Sequence, residues 1–228
     1  DSIEGFALFR TDGTVNGTKK IKVIAAPGVG APGPQYFVSA GDHCYFSYND
    51  GVHGTELWGS DGTESGTKIV KEIREGEAGS IGLSDITADV ILDKFYFTAN
   101  DGVHGKELWE SDGTEQGTRM FFDLLEGSEG SNPYFIRSYR GNLFFGADHE
   151  GVPKTWYWNS KLDKPKVLGG QNPSNFLLVG NTVYFLADDE LTGRELWRVS
   201  FDEDNLVNLV PITSIFPEEG DDSFIYPN

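Results

Sequence analysis

The sequence predicts an all-β protein, a β-propeller of about five four-stranded repeat units, with a β-sandwich as the alternative. Three observations carry that prediction. The segment Gly51 to Thr67 recurs almost letter for letter as Gly102 to Thr118; short aromatic runs closed by Asp, Asn or Gly return at a regular interval; and no segment holds the apolar period of a capped helix.

The aromatic anchors come first. Phe9, Trp58, Trp109, Trp158 and Trp197 stand 49, 51, 49 and 39 residues apart, the length of a propeller blade. Before four of them lies a second strand, read as Tyr45-Phe46-Ser47-Tyr48, Tyr96-Phe97-Thr98-Ala99, Phe144-Phe145-Gly146-Ala147 and Tyr184-Phe185-Leu186-Ala187. A further apolar segment precedes each of these, and another follows each Gly-Thr (Ile21 to Ile24, Ile69 to Ile73, Met120 to Leu125). That makes four strands per unit. Strands apolar on both faces suit blades covered by neighbours on both sides. A sandwich would need no such repeat. The whole chain reads as one repeat domain, 1-228, with units at roughly 1-32, 33-79, 80-130, 131-170 and 171-228.

Composition narrows the partners. With 18 Lys and Arg against 36 Asp and Glu, the net charge of -18 repels phosphate backbones and anionic membranes, which argues against nucleic acid and membrane insertion. No apolar stretch approaches the roughly 20 residues that span a bilayer. Cys44 is the single cysteine, so no intrachain disulfide forms, and its place in Cys44-Tyr45-Phe46 reads as a small buried hydrophobe. Residue 1 is Asp, with no charged and apolar leader after it, so the numbering is expected to begin behind a removed leader or a cut.

The motif Glu-Leu-Trp-x-x-Asp-Gly-Thr is intact at Glu56 to Thr63 and Glu107 to Thr114, each behind a Gly-x-His-Gly. It resembles the ELWxxDGT repeat, grouped with hyalin-type repeats, of large secreted proteins. The resemblance implies surface or extracellular propeller-like arrays and no common catalytic residue. Three worn copies depart from it: the first keeps only Leu8-Phe9 with Asp12-Gly13-Thr14, the fourth sets Trp156 where Glu is expected, and the fourth and fifth lack Asp-Gly-Thr.

Each motif residue has a physical reading. In Glu-Leu-Trp the Glu and Trp share one face of the strand and Leu takes the other. Trp58, Trp109, Trp158 and Trp197 are expected to fill inter-blade gaps, with each indole N–H seeking an acceptor. Glu56, Glu107 and Glu195, partly desolvated beside them, need partners such as backbone N–H groups of a neighbouring turn. Asp61 and Asp112 open Asp-Gly-Thr turns, and no stretch gathers the several oxygen ligands of a calcium loop. No cofactor is expected, calcium being the one these acidic turns leave open. His53 and His104 occupy equivalent places without a second His or Cys nearby, so turn capping is favoured over zinc.

No catalytic signature appears. The candidate binding residues are His53 and His104, for their repetition, and Trp156 and Tyr157, in the unit that breaks the repeat. Asn16-Gly17-Thr18 is the one glycosylation acceptor. The function expected is a non-catalytic, extracellular binding or scaffolding module, with glycans bound at equivalent inter-blade clefts or with other copies of itself as partners. The alternatives are a structural subunit of a larger assembly and a glycan-degrading enzyme with its site at the central channel. Counting strands, the chain starts inside a unit, and only Ser223-Phe224-Ile225-Tyr226 follows the last turn. The first unit is therefore expected to be completed from elsewhere, because an open edge invites pairing.

Overall fold

The computed structural model describes residues 6–24, 33–81, 86–91, 93–201 and 207–213; the expected strand Ser223 to Tyr226, and with it the closure of the first unit, lies outside the described residues. Among the described residues there is no helix.

Short antiparallel strands run out in sequence order. β1 (Ala7–Arg10) pairs with β2 (Lys19–Val23); β3 (Gln35–Ala40), β4 (His43–Asn49), β5 (Thr55–Ser60) and β6 (Lys68–Lys71) form a second sheet; β7 (Ile86–Ile91), β8 (Lys94–Asn100), β9 (Lys106–Ser111) and β10 (Arg119–Phe122) form a third. A seven-stranded sheet follows, made of β11 (Tyr134–Tyr139), β12 (Asn142–His149), β13 (Val152–Asn159), β14 (Lys166–Val179), β15 (Thr182–Asp189), β16 (Gly193–Phe201) and β17 (Val207–Thr213) in that order. The first strands of successive units are neighbours: β3 meets β7, β7 meets β11, and β11 meets β14, which serves as the first strand of the fifth unit within the seven-stranded sheet. Meanders that touch at their first strands and run outward are propeller blades.

The long β14 is where the fourth and fifth units fuse. Its first half pairs with β13 through Gln171 and its second half pairs with β15 from Gln171 onward, the strand bending through Gly169 and Gly170, both at positive φ. The sequence boundary between residues 170 and 171 thus falls inside one strand.

Each gap between sheets holds one aromatic cluster. Leu57 faces Phe95, Phe97 and Trp109 of the third sheet, while Leu108 faces Leu143, Phe145 and Trp156 of the fourth unit. Trp58 turns the other way, onto Ile24 and Leu8 of the first unit. Leu and Trp therefore serve opposite joints, as their alternation on the strand requires.

Register corrects the reading of the fourth unit. Trp58, Trp109 and Trp197 stand opposite Phe46, Phe97 and Phe185, and the residue opposite the equivalent Phe145 is Trp156. Trp156, not Trp158, is therefore the repeat tryptophan, and Lys154 stands where the second, third and fifth units carry Glu. Asn159 then takes the place of Asp61, and its side-chain oxygen accepts from Lys161 N at 3.0 Å as Asp61 accepts from Thr63 N at 2.8 Å. The indole N–H groups of Trp156 and Trp197 donate to the carbonyls of Ala147 and Ala187, both at 3.1 Å. Those of Trp58 and Trp109 are buried with no hydrogen-bond partner among the described residues.

The motif glutamates hold consecutive sheets together. Glu107 is fully buried; it accepts from Ser131 N at 2.7 Å, from Ser131 Oγ at 2.6 Å and from Leu124 N at 3.3 Å. Glu56, also fully buried, accepts from Ile73 N, Arg74 N and Ser80 Oγ. Ser80 and Ser131 end two loops, Glu75 to Ser80 and Glu126 to Ser131, which share the pattern Glu-Gly-x-x-Gly-Ser. The carbonyls of the same serines accept from Asn100 N at 2.8 Å and Asp148 N at 2.7 Å in the next unit. Burial holds both carboxyls above the ordinary glutamate value, the Ser and backbone donors offsetting only part of the rise. Glu195 is buried as well.

Trp109→Ala is expected to cost about 3–5 kcal/mol as a large-to-small core change, read from urea unfolding. Glu107→Gln replaces an acceptor by an amide N–H facing other donors and should cost about 1–3 kcal/mol, without loss of strand content by circular dichroism. An unshifted urea midpoint would remove the glutamate from the joint.

Candidate functional site

Three copies of the Asp-Gly-Thr-x-x-Gly-Thr turn close β1–β2, β5–β6 and β9–β10 by one bonding scheme. Asp61 Oδ1 accepts from both Thr63 N and Thr63 Oγ1, Thr63 Oγ1 accepts from Gly66 N, and Thr67 Oγ1 donates to Thr63 O and meets Ser60 Oγ. Asp12 and Asp112 repeat these bonds with Thr14 and Thr114. The Thr side chains and backbone hold these carboxyls below the ordinary aspartate value. The glycine closing each turn is required by space, since a Cβ on Gly66 or Gly117 would lie 2.0 Å from the Asp61 or Asp112 carboxylate. These aspartates are turn staples. Among the described residues no three His, Cys, Asp or Glu side chains gather as a metal would need.

The turns are tied side by side. Lys22 Nζ donates to Thr67 O at 2.6 Å, and Lys71 Nζ donates to Thr118 O at 2.8 Å, each reaching from one unit to the next unit's turn. Phe122 occupies the corresponding place in β10, and the fourth unit carries no such turn to reach.

Between the second and third turns opens a cleft of about 570 Å³, lined by His43, Gly59, Asp61, Ser65, Gly66, Lys68, Ile69 and Val70 on one side and Gly113 to Gln116 on the other. Tyr45 underlies it, its ring against Gly59 and its hydroxyl against Gly113. A second cleft of about 470 Å³ lies on the first turn, lined by Arg10, Asp12, Asn16, Gly17 and Lys19 among others. Arg10, Asp12, Asn16, Gly17 and Lys19 are the repeat counterparts of Gly59, Asp61, Ser65, Gly66 and Lys68. The two clefts share this turn-borne wall, and the facing wall of Gly113 to Gln116 belongs to the larger one.

One position varies along this series. Tyr45, Tyr96, Phe144 and Tyr184 stand opposite Gly59, Glu110, Tyr157 and Arg198. Of these four positions Gly59 alone brings no side chain of its own, and the space at its Cα is met by Tyr45 and Val70.

The sequence-picked binding residues distribute differently. His53 and His104 sit at the opposite end of the sheets, in the β4–β5 and β8–β9 hairpins, where their Nδ1 atoms lie 2.7 Å from Asp50 and Asp101. Asp50 Oδ1 also accepts from Val52 N and His53 N, so Asp50 caps the turn and the His53 ring braces its carboxylate. The Asp hydrogen bond raises both imidazoles above the ordinary histidine value. Trp156 and Tyr157 are corrected: both are buried, Trp156 in the joint with the third sheet and Tyr157 against Phe144 and Trp197. A strand covered on both faces offers neither to a ligand. Asn16 is exposed on the first turn. Cys44 is half-buried, and burial pushes its thiol up. His43 and Lys68, which line the cleft, escaped sequence reasoning because they fall at a strand start and outside the quoted motif.

No protein-family model matches the chain, and no curated protein does. Among solved structures it resembles one from a study of two prolyl endopeptidases, with TM-score 0.54 at 12% identity over 92% of this chain and 30% of that one. It thus spans about a third of that chain's length. The likeness is one of fold. A nidogen/laminin complex gives TM-score 0.42 at 15% identity, over 85% of this chain and 71% of that chain, and an α-L-arabinofuranosidase from Clostridium thermocellum gives 0.34 at 12%, over 92% and 83%.

Asp101→Asn should lower the His104 pKa toward the ordinary value of about 6.5, followed by NMR titration. The folded value is raised, so the pair's contribution to stability is present below that ordinary value and fades as pH rises through the folded one. A His104 titration identical in both proteins would break the assignment.

Proposed function

We propose that the chain is a non-catalytic, extracellular binding or scaffolding module whose inter-blade clefts take glycans. The observation that carries this reading is the recurrence of one cleft on two equivalent turns, each of a volume suited to a small ligand. Hydroxyls, carboxylates, an amide or imidazole and a lysine line them, a set that hydrogen-bonds polyols. Asp61 and Asp12 are already committed to their turns, which fits recognition better than proton transfer. Repeated weak sites suit polymeric ligands, where linkage multiplies affinity. The resemblance to secreted repeat proteins supports the extracellular setting.

A glycan array tests the reading, comparing wild type with Ser65→Trp, whose indole would occupy the cleft from an exposed turn position that the repeat also fills with Asn16 and Gln116. Binding of at least one glycan class, cut several-fold in the variant at equal stability, is expected. An array silent for the wild type would overturn the reading.

A further inference from the structure

The third sheet shows what the open cleft of the second sheet is built to hold. At the position of Gly59 the third sheet carries Glu110, which is 2% exposed. Its Oε1 takes three charge-assisted donors: Lys94 Nζ at 2.7 Å, Arg119 Nε at 2.8 Å and Arg119 Nη2 at 2.8 Å. Each of those cations has a counterpart in the second sheet. Arg119 stands across the strands from Glu110 as Lys68 stands across from Gly59, and Lys94 opens β8 as His43 opens β4. Both positions thus keep a nitrogen-bearing side chain, the carboxylate is missing, and Gly59, Lys68 and His43 all line the cleft.

The surroundings agree. Tyr96 underlies Glu110 as Tyr45 underlies Gly59, and Asp112 stands beside the Glu110 cluster as Asp61 stands beside the cleft, so the turn aspartate does not keep a carboxylate out. In the first unit the same position is Arg10, opposite Lys19, which again lines an open cleft with cations. A carboxylate with two or more charged donors is among the stronger polar contacts a protein makes.

We infer that the cleft at Gly59 binds a ligand carboxylate, placed by Lys68 and His43 where the third sheet places Glu110, and that the ligand is an acidic glycan bearing uronate groups. The inference rests on the glycan-binding reading and adds the charge of the sugar. A glycan source is favoured over an acidic peptide because the lining beyond Lys68 and His43 offers the Ser65 and Thr114 side chains, the Gln116 amide and the Asp61 and Glu115 carboxylates, groups suited to sugar hydroxyls.

The test is an NMR titration of the whole chain at low salt, followed at the amides of Ser65 and Gly66. Tri-galacturonate, its methyl ester and tri-glutamate serve as probes. Tri-galacturonate should shift both amides, the ester about tenfold more weakly, and Lys68→Ala should weaken the acid about tenfold or more, as loss of a charge-assisted hydrogen bond implies. Gly59→Glu supplies the carboxylate from the chain itself and should abolish the shifts. Its Cβ would meet Tyr45 and Val70 at 3.1 and 3.2 Å, so its melting temperature is read alongside, and Lys68→Ala decides the matter if that variant is unstable. Acid and ester binding equally, or tri-glutamate binding where tri-galacturonate does not, would overturn the inference. Equal binding would leave the glycan reading standing, whereas silence toward every sugar here and on the array would end both.

Discussion

A buried carboxylate joins each full blade of the second and third units to its successor, and the remaining architecture is arranged around it. Glu56 and Glu107 sit in strands that are covered on both faces, where an unpaired charge would be prohibitive. The loops Glu75 to Ser80 and Glu126 to Ser131 answer that demand by presenting backbone N–H groups and a serine hydroxyl. Once held, the same serines offer their carbonyls to the next unit. The loops pack so closely that Gly54 and Gly79, and likewise Gly105 and Gly130, meet backbone to backbone, where any Cβ would intrude. Satisfying the charge, closing the loop and docking the neighbour are one event.

The fourth unit follows from the same constraint in reverse. Here β14 passes directly from one unit to the next, so there is no crossover loop for a glutamate to hold. Lys154 takes the glutamate's place and points instead toward Glu190, at 3.4 Å. With no Asp-Gly-Thr turn ahead of it, the lysine of β2 and β6 gives way to Phe122 in β10, which packs with Trp156 and Trp158. The motif is worn where the connection it serves has changed.

At the other end of the sheets the hydrogen-bonded turns form a fixed frame, and fixed frames can carry variable contents. Because the backbone around Asp12, Asp61 and Asp112 is set by its own side chains, the residue just before the turn is free to differ: Arg10, Gly59 or Glu110. Arg10 lines one cleft with Lys19, Gly59 lines the other, and Glu110 is buried against Lys94 and Arg119.

Much of this was legible in the sequence. Strand alternation and the turn chemistry of Asp, Gly and Thr act over a few residues, so the four-stranded unit, the opposed faces of Leu and Trp and the buried glutamates could all be read from spacing. The register of the fourth unit could not, because a slip of two residues leaves every side chain on the same face, and only the partner strand distinguishes Trp156 from Trp158. Nor could Trp156 and Tyr157 be assigned to the core, since their burial comes from neighbouring sheets. The cleft is the extreme case: Gly59, His43 and Lys68 come from three strands and face a turn some 50 residues away, and what makes Gly59 matter is the Glu110 that fills the same place in the next sheet. Local chemistry fixed the blades, whereas the sites between blades were decided by packing between residues far apart in the chain, which no local pattern records.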